Sequence, residues 1–162
     1  PVMINVTILA VGKLKEQYWK DACGEYAKRL KAYCRFSIEE IPEYRLPDSP
    51  SPAQIKAGLE KEGETILNHI PGHAYIIALC IEGREIDSLA LSEQYTKAVA
   101  EGKNTIVFII GGSFGLADKV KKSANLRLSM SQMTFPHQLA RVMLCEQVYR
   151  AFSIAASTKY HK

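Results

Sequence analysis

Short apolar, β-branched runs alternate along this chain with stretches of helical period, and that alternation limits the fold more than any other feature. Asn5 to Val11 (NVTILAV), Tyr75 to Ile81 (YIIALCI) and Thr105 to Ile110 (TIVFII) are apolar at nearly every position. Such runs suit strands buried on both faces. Arg35 to Ile41 alternates apolar with polar and suits a strand with one polar face. Arg127 to Ser129 reads as a brief fifth strand. Between them, Glu16 to Tyr33 places Tyr18, Trp19, Ala22, Tyr26, Leu30 and Tyr33 on one broad helical face. Ser51-Pro52 is an N-cap followed by a first-turn proline, and opens a helix to about His69. Ser88 caps a third helix through Ala100. A short fourth covers Ala117 to Ala124, and a long fifth runs from His137 to about Ala156. Glu82-Gly83-Arg84-Glu85 reads as a turn, and Met130 to Pro136 as a loop. The pattern predicts an α/β fold, a mostly parallel sheet with helices on both faces.

The 162 residues suit a single domain, 1–162. At 47% hydrophobic and 23% charged, the chain can bury a core, which argues against disorder. No apolar run approaches the ~20 residues of a membrane helix, so no membrane is expected as a partner. Pro1-Val2-Met3-Ile4 lacks the basic start of a signal peptide. Cys23, Cys34, Cys80 and Cys145 are scattered and form no CxxC pair. Buried free thiols in a reducing, cytoplasmic setting are expected, with no metal site.

Charge is unevenly spread. From Lys119 to Lys162 there are eight basic residues and one acid, Glu146, a balance of +7. The rest of the chain carries 13 basic and 16 acidic groups, or −3. A cationic last quarter on a mildly acidic body suits a polyanion or a solvated basic helix.

The common nucleotide signatures are missing. Val11-Gly12-Lys13-Leu14 after the first strand is neither GxGxxG nor GxxxxGK[ST]. Glycines gather instead after the fourth strand, at Gly111-Gly112-Ser113-Phe114-Gly115. There a backbone can turn sharply and approach a ligand at a strand's carboxyl end, or simply make a tight connection. Leu128 to His137 (LSMSQMTFPH) is an unusually apolar loop. Its Met130, Met133 and Phe135 must find cover, either by ordinary packing or against a small molecule held by backbone groups. His137 opens the last helix, and Arg141 follows one turn on. Tyr160-His161-Lys162 could stack on a base and contact phosphate, or fray. Two other readings stay open at this point. One is a non-catalytic RNA-binding module. The other is a flavodoxin-like or small hydrolytic domain, for which Asp87 and Ser113 are the only tempting groups.

Taken together, several segments resemble the SPOUT, or α/β-knot, methyltransferases. They are Ile8 to Lys13, Ile110 to Leu116, Leu128-Ser129 with Met133 to His137, Arg141-Val142, Glu146 to Ala151, and Tyr160-His161-Lys162. The resemblance runs in order over essentially the whole chain. It implies a C-terminal deep trefoil knot, an exception to unknotted topology, and a homodimer. It implies S-adenosyl-L-methionine as cofactor, with no metal. It also implies methylation of N3 of a pseudouridine in helix 69 of 23S rRNA within the 70S ribosome, with no role for DNA. The cofactor would be held by Leu79, by Gly111 and Gly112, and by Met130, Ser131, Gln132, Met133, Thr134 and Phe135. Cys80 departs from the family, which favours an acidic or polar residue there. Catalysis would fall to His161 as proton acceptor or base-positioning group, Arg141 stabilising negative charge, and Tyr160 stacking on the target. His137 is the second choice of base. RNA contacts would come from Arg150, His137, Lys119, Lys121, Lys122 and Lys162.

Overall fold

The computed structural model describes residues 3–157 and 160–161. Its elements alternate: β1 (Asn5–Val11), α1 (Gln17–Leu30), β2 (Arg35–Ile41), α2 (Pro52–Asn68), β3 (Tyr75–Glu85), α3 (Ser88–Ala100), β4 (Thr105–Ile110), α4 (Asp118–Ser123), β5 (Leu126–Ser129) and α5 (His137–Ala155). The strands form one sheet in the order β2-β1-β4-β3-β5, and every neighbouring pair is parallel.

The period of two along each strand divides the core. Val6, Ile8 and Ala10 of β1, with Ile106, Phe108 and Ile110 of β4, face one layer. There Cys23 and Leu30 of α1, Leu91 of α3, and Leu144, Val148 and Phe152 of α5 cover them. Leu9, Val11, Val107 and Ile109 face the opposite layer, under Ile66 of α2 and Val120 of α4. Apolar residues at both parities are what a sheet covered twice requires. Each fully buried leucine or isoleucine contributes roughly 1.5–3 kcal/mol of transfer free energy. None of the described helices is long and apolar enough to cross a membrane.

Two local expectations are corrected. Asp87, not Ser88, caps α3: its Oδ1 accepts from Ala90 N at 2.8 Å. Ser88 is the first helical residue and donates instead to Gln147 Oε1 at 2.6 Å, tying α3 to α5. The second correction is that residues 82–85 are strand rather than turn. β3 runs on to Glu85 through a break in register against β5, in which Leu79 and Arg84 both face Leu128. Gly83 allows it, since a Cβ there would stand 2.7 Å from Arg127 O. Residues 80–83 are thereby released from the β5 ladder at the strand's carboxyl end.

Candidate active site

A cavity of about 580 Å³ opens at the carboxyl ends of β3, β4 and β5. That is where open parallel sheets bind ligands, and the volume is within the usual range for a small-molecule site. Its walls come from the released end of β3, the glycine turn after β4, the loop after β5 and the first turns of α5. Leu79, Ile110, Leu116, Leu128 and Met130 give it an apolar lining. Ile81, Phe114 and Met133 also line it and remain largely exposed, with Met133 at 74%.

The glycine turn is folded back on itself. Gly115 N donates to Gly112 O at 3.1 Å, and Gly115 takes a φ of 82°. A Cβ on Gly111 would lie 2.3 Å from Gly115 O. The following loop is held by its own polar groups. Met133 N donates to Ser131 Oγ at 2.9 Å, and Ser129 Oγ donates to Ser131 O at 3.2 Å.

Leu79, Gly111, Gly112, Met130, Ser131, Met133, Thr134 and Phe135 all line this cavity. Gln132 does not. Its amide turns back to β3, donating to Glu85 Oε1 at 2.8 Å and Ile81 O at 3.4 Å. His137 lines the cavity too, as do Cys80, Glu82 and Lys121, which sequence reasoning did not place there. Reading residues 82–85 as a turn hid Glu82; the apolar run ending in Ile81 was the signal that stopped short. Cys80 is half-buried, and burial pushes its thiol up from the ordinary range. The other three thiols are buried, and burial pushes Cys34 up to about 12.

Arg141, expected to stabilise negative charge, is held inside the fold. Its side chain is 3% exposed and does not line the cavity. Nη1 donates to Glu40 Oε2 at 2.7 Å, and Nη2 to Gly12 O at 3.0 Å. The same carboxylate oxygen accepts from Leu14 N at 3.2 Å. Arg141 therefore fastens the turn after β1 and the edge strand β2 to α5, with its guanidinium committed inside the fold. Arg141→Met is expected to destabilise the protein by roughly 2–3 kcal/mol. Breaking a fully buried pair costs more, but Glu40 keeps 39% exposure and can rehydrate. Urea unfolding measures this. An unchanged midpoint would show that the pair does not hold the fold and would free Arg141 for another role.

The tail forms a separate cluster on α5. Arg150 Nη2 and Tyr160 Oη both donate to Glu146 Oε2 at 2.7 Å. Arg150 Nη1 lies 3.0 Å from His161 Nδ1, and its guanidinium carbon 4.7 Å from the centre of the Tyr160 ring. Tyr149 meets Tyr160 edge-on at 4.8 Å. Burial alone would raise the Glu146 carboxyl, but the bonds from Arg150 and Tyr160 outweigh it and hold it below the usual carboxylate range. None of Arg150, Tyr160 and His161 lines the cavity of their own chain. A second cavity of about 540 Å³, between α1, α3 and α5, includes Glu146 and shares Leu128 and Met130 with the first. Lys119 pairs with Glu64 at 3.6 Å, and Lys121 with Glu82, while Lys122 is exposed. Lys162 lies outside the described residues.

The chain matches the family model described as "Predicted SPOUT methyltransferase" over residues 4–161. It is 48% identical over 159 residues to a protein named ribosomal RNA large subunit methyltransferase H from Clostridium botulinum (strain 657 / Type Ba4), covering 98% of this chain and 100% of that one. It is 46% identical, with the same coverage, to ribosomal RNA large subunit methyltransferase H 1 from Clostridium perfringens (strain SM101 / Type A). Among solved structures, a probable methylase family protein from Haemophilus influenzae Rd KW20 matches with a TM-score of 0.48 and 13% identity, over 98% of this chain and 70% of that one. A family model spanning nearly every residue and full-length relatives near half identity agree with the glycine turn and loop at the strand ends: the chain belongs to the SPOUT methyltransferases.

Proposed function

We propose that this protein transfers the methyl group of S-adenosyl-L-methionine to N3 of a pseudouridine in helix 69 of 23S rRNA, acting as a homodimer on the assembled ribosome in the cytoplasm. One observation carries the reading. A cavity of about 580 Å³ is built from the glycine turn and the 130–136 loop, in a chain matched end to end by relatives named as large-subunit rRNA methyltransferases. The cavity fits the cofactor in kind. Its apolar wall suits a flat nucleobase, and a turn with no room for a Cβ at Gly111 exposes backbone groups for the base's polar edge. Leu79, Gly111, Gly112 and the segment from Met130 to Phe135 would hold it, with Gln132 acting indirectly by fastening that segment to β3. S-adenosylmethionine supplies an activated sulfonium methyl and a neutral thioether leaving group.

The protein's own task is then alignment and the N3 proton of the target. His161 takes that proton at Nδ1 as Arg150 Nη1 leaves this nitrogen for the target, and Tyr160 stacks on the target base. His161 stands outside its own chain's cavity, so the tail serves the cavity of the second subunit. Val142 and Met143, half-buried on α5 and lining the second cavity, support a dimer on that face. Arg150, His137 and Lys122 contact the RNA, with Lys119 available once released from Glu64, while Lys162, expected to join them, lies outside the described residues. A knotted path for the segment after β4 belongs to the same reading. It is supported by β5 lying beyond β3 from β4, and by α4 and α5 covering opposite faces.

Mass mapping of rRNA after incubation with labelled cofactor tests the assignment. Intact 70S ribosomes are expected to acquire one methyl group, at a helix 69 pseudouridine, and free 23S rRNA none. Modification at another nucleotide, or of naked RNA alone, would overturn the substrate while leaving the methyltransferase class.

A further inference from the structure

The rim of the cavity carries a pair of opposite charges that neither the base-binding wall nor the proton transfer uses. Lys121 of α4 donates from Nζ to Glu82 Oε1 at the released end of β3. Both residues line the cavity. Among its described lining residues they are the only Lys or Arg and the only Asp or Glu. The Lys121 side chain is 20% exposed and that of Glu82 57%, so the ammonium is drawn under the rim while the carboxylate faces outward. The bond from Lys121 holds the Glu82 carboxyl below the usual carboxylate range. Glu82 is therefore ionised at neutral pH.

Three physical arguments narrow its purpose. An ion pair this exposed adds little to folding stability. Lys121 lines the cavity and is 20% exposed, so it is less available to RNA phosphates than the exposed Lys122. A net-neutral pair of separated charges does, however, match a zwitterion. The ammonium has three donors and spends one on Glu82 Oε1, while Glu82 keeps its second oxygen free of any bond to Lys121. We infer that Lys121 and Glu82 form the subsite for the amino-acid end of the cofactor, Lys121 taking the α-carboxylate and Glu82 the α-ammonium. This rests on the cofactor reading of the same cavity. It makes the pair a specificity device: a nucleoside without an amino-acid end gains nothing from it.

Calorimetry on the full chain with two probes isolates the subsite. S-adenosylhomocysteine carries the amino-acid end, and 5′-methylthioadenosine lacks it. Lys121→Met is expected to weaken S-adenosylhomocysteine about tenfold, the loss of one charge-assisted contact at a half-open site. It should leave 5′-methylthioadenosine within about twofold. Glu82→Gln should show the same pattern with a smaller loss, and Lys121→Arg should recover most of the affinity. Binding of 5′-methylthioadenosine also reports that each variant is folded. Equal losses for both probes, or no loss for either, would overturn the subsite while sparing the cofactor reading. A wild-type protein that binds neither probe would overturn both.

Discussion

Gly111→Ala is expected to slow methyl transfer by at least about 100-fold, the penalty for a misplaced site, and to weaken cofactor binding. The added Cβ would stand 2.3 Å from Gly115 O and 2.7 Å from Gly115 C, inside the same turn. Backbone atoms cannot rotate aside as a side chain can. The turn must open, lose the bond from Gly115 N to Gly112 O, and move the wall it gives the cavity. Such overpacking costs about 1–3 kcal/mol in a well-packed region, so the variant should still fold. Gly112→Ala is the matched comparison. Its nearest neighbours would be Val11 Cγ1 at 3.5 Å and Glu43 Oε1 at 3.6 Å, both ordinary contacts. It should keep its melting temperature and lose much less affinity than Gly111→Ala. Calorimetry on the two variants checks this. A Gly111→Ala protein that binds the cofactor normally would show that the turn does not hold it.

His161→Ala is expected to slow single-turnover methylation by about 10²–10³, within the range that a positioned proton acceptor contributes. Ribosome binding should survive, because the basic side chains remain. His137→Ala distinguishes the two histidines. His137 lines the cavity of its own chain, whereas His161 sits against Arg150 outside it. If His137→Ala slows the reaction and His161→Ala does not, the proton goes to the cavity histidine. Mixed dimers then tell which subunit the tail serves. A dimer of one Gly111→Ala chain and one His161→Ala chain has a sound tail on one subunit and a sound cavity on the other. It should regain activity only if tails work across the interface. Two inactive homodimers that give an inactive mixed dimer would place each tail in its own site.

The strands were legible wherever burial on two faces left its mark in composition. β1, β2 and β4 end where their apolar pattern ends. β3 was not legible to its end, because Glu82-Gly83-Arg84-Glu85 has the residues of a turn and is kept extended by β5, far along the chain. The cavity was legible in outline, since glycines after a strand and an apolar loop are both local signals. Glu82 and Lys121 were invisible as partners because they meet only once β3 and α4 are placed together. Arg141 shows the same limit. Its charge is plain in the sequence, but its burial depends on Glu40, a hundred residues away on β2. Gln132 sits inside a run of cavity residues yet points back to β3, a choice made by Glu85 rather than by anything in the loop itself.

The break in register between Leu79 and Arg84 also bears on how such a site can change over time. Within most of the sheet, inserting one residue in a strand sends every later side chain to the wrong face. Residues 80–82 escape that penalty, because the strand leaves the β5 ladder before them and rejoins it after them. Only Gly83 is held, by the closeness of Arg127. Cys80, Ile81 and Glu82 can therefore drift without loss of the sheet, and each drift reshapes the mouth of the cavity. Among descendants of this chain, altered ligand preference should arise first in those three positions, and the glycine beside them should stay as it is.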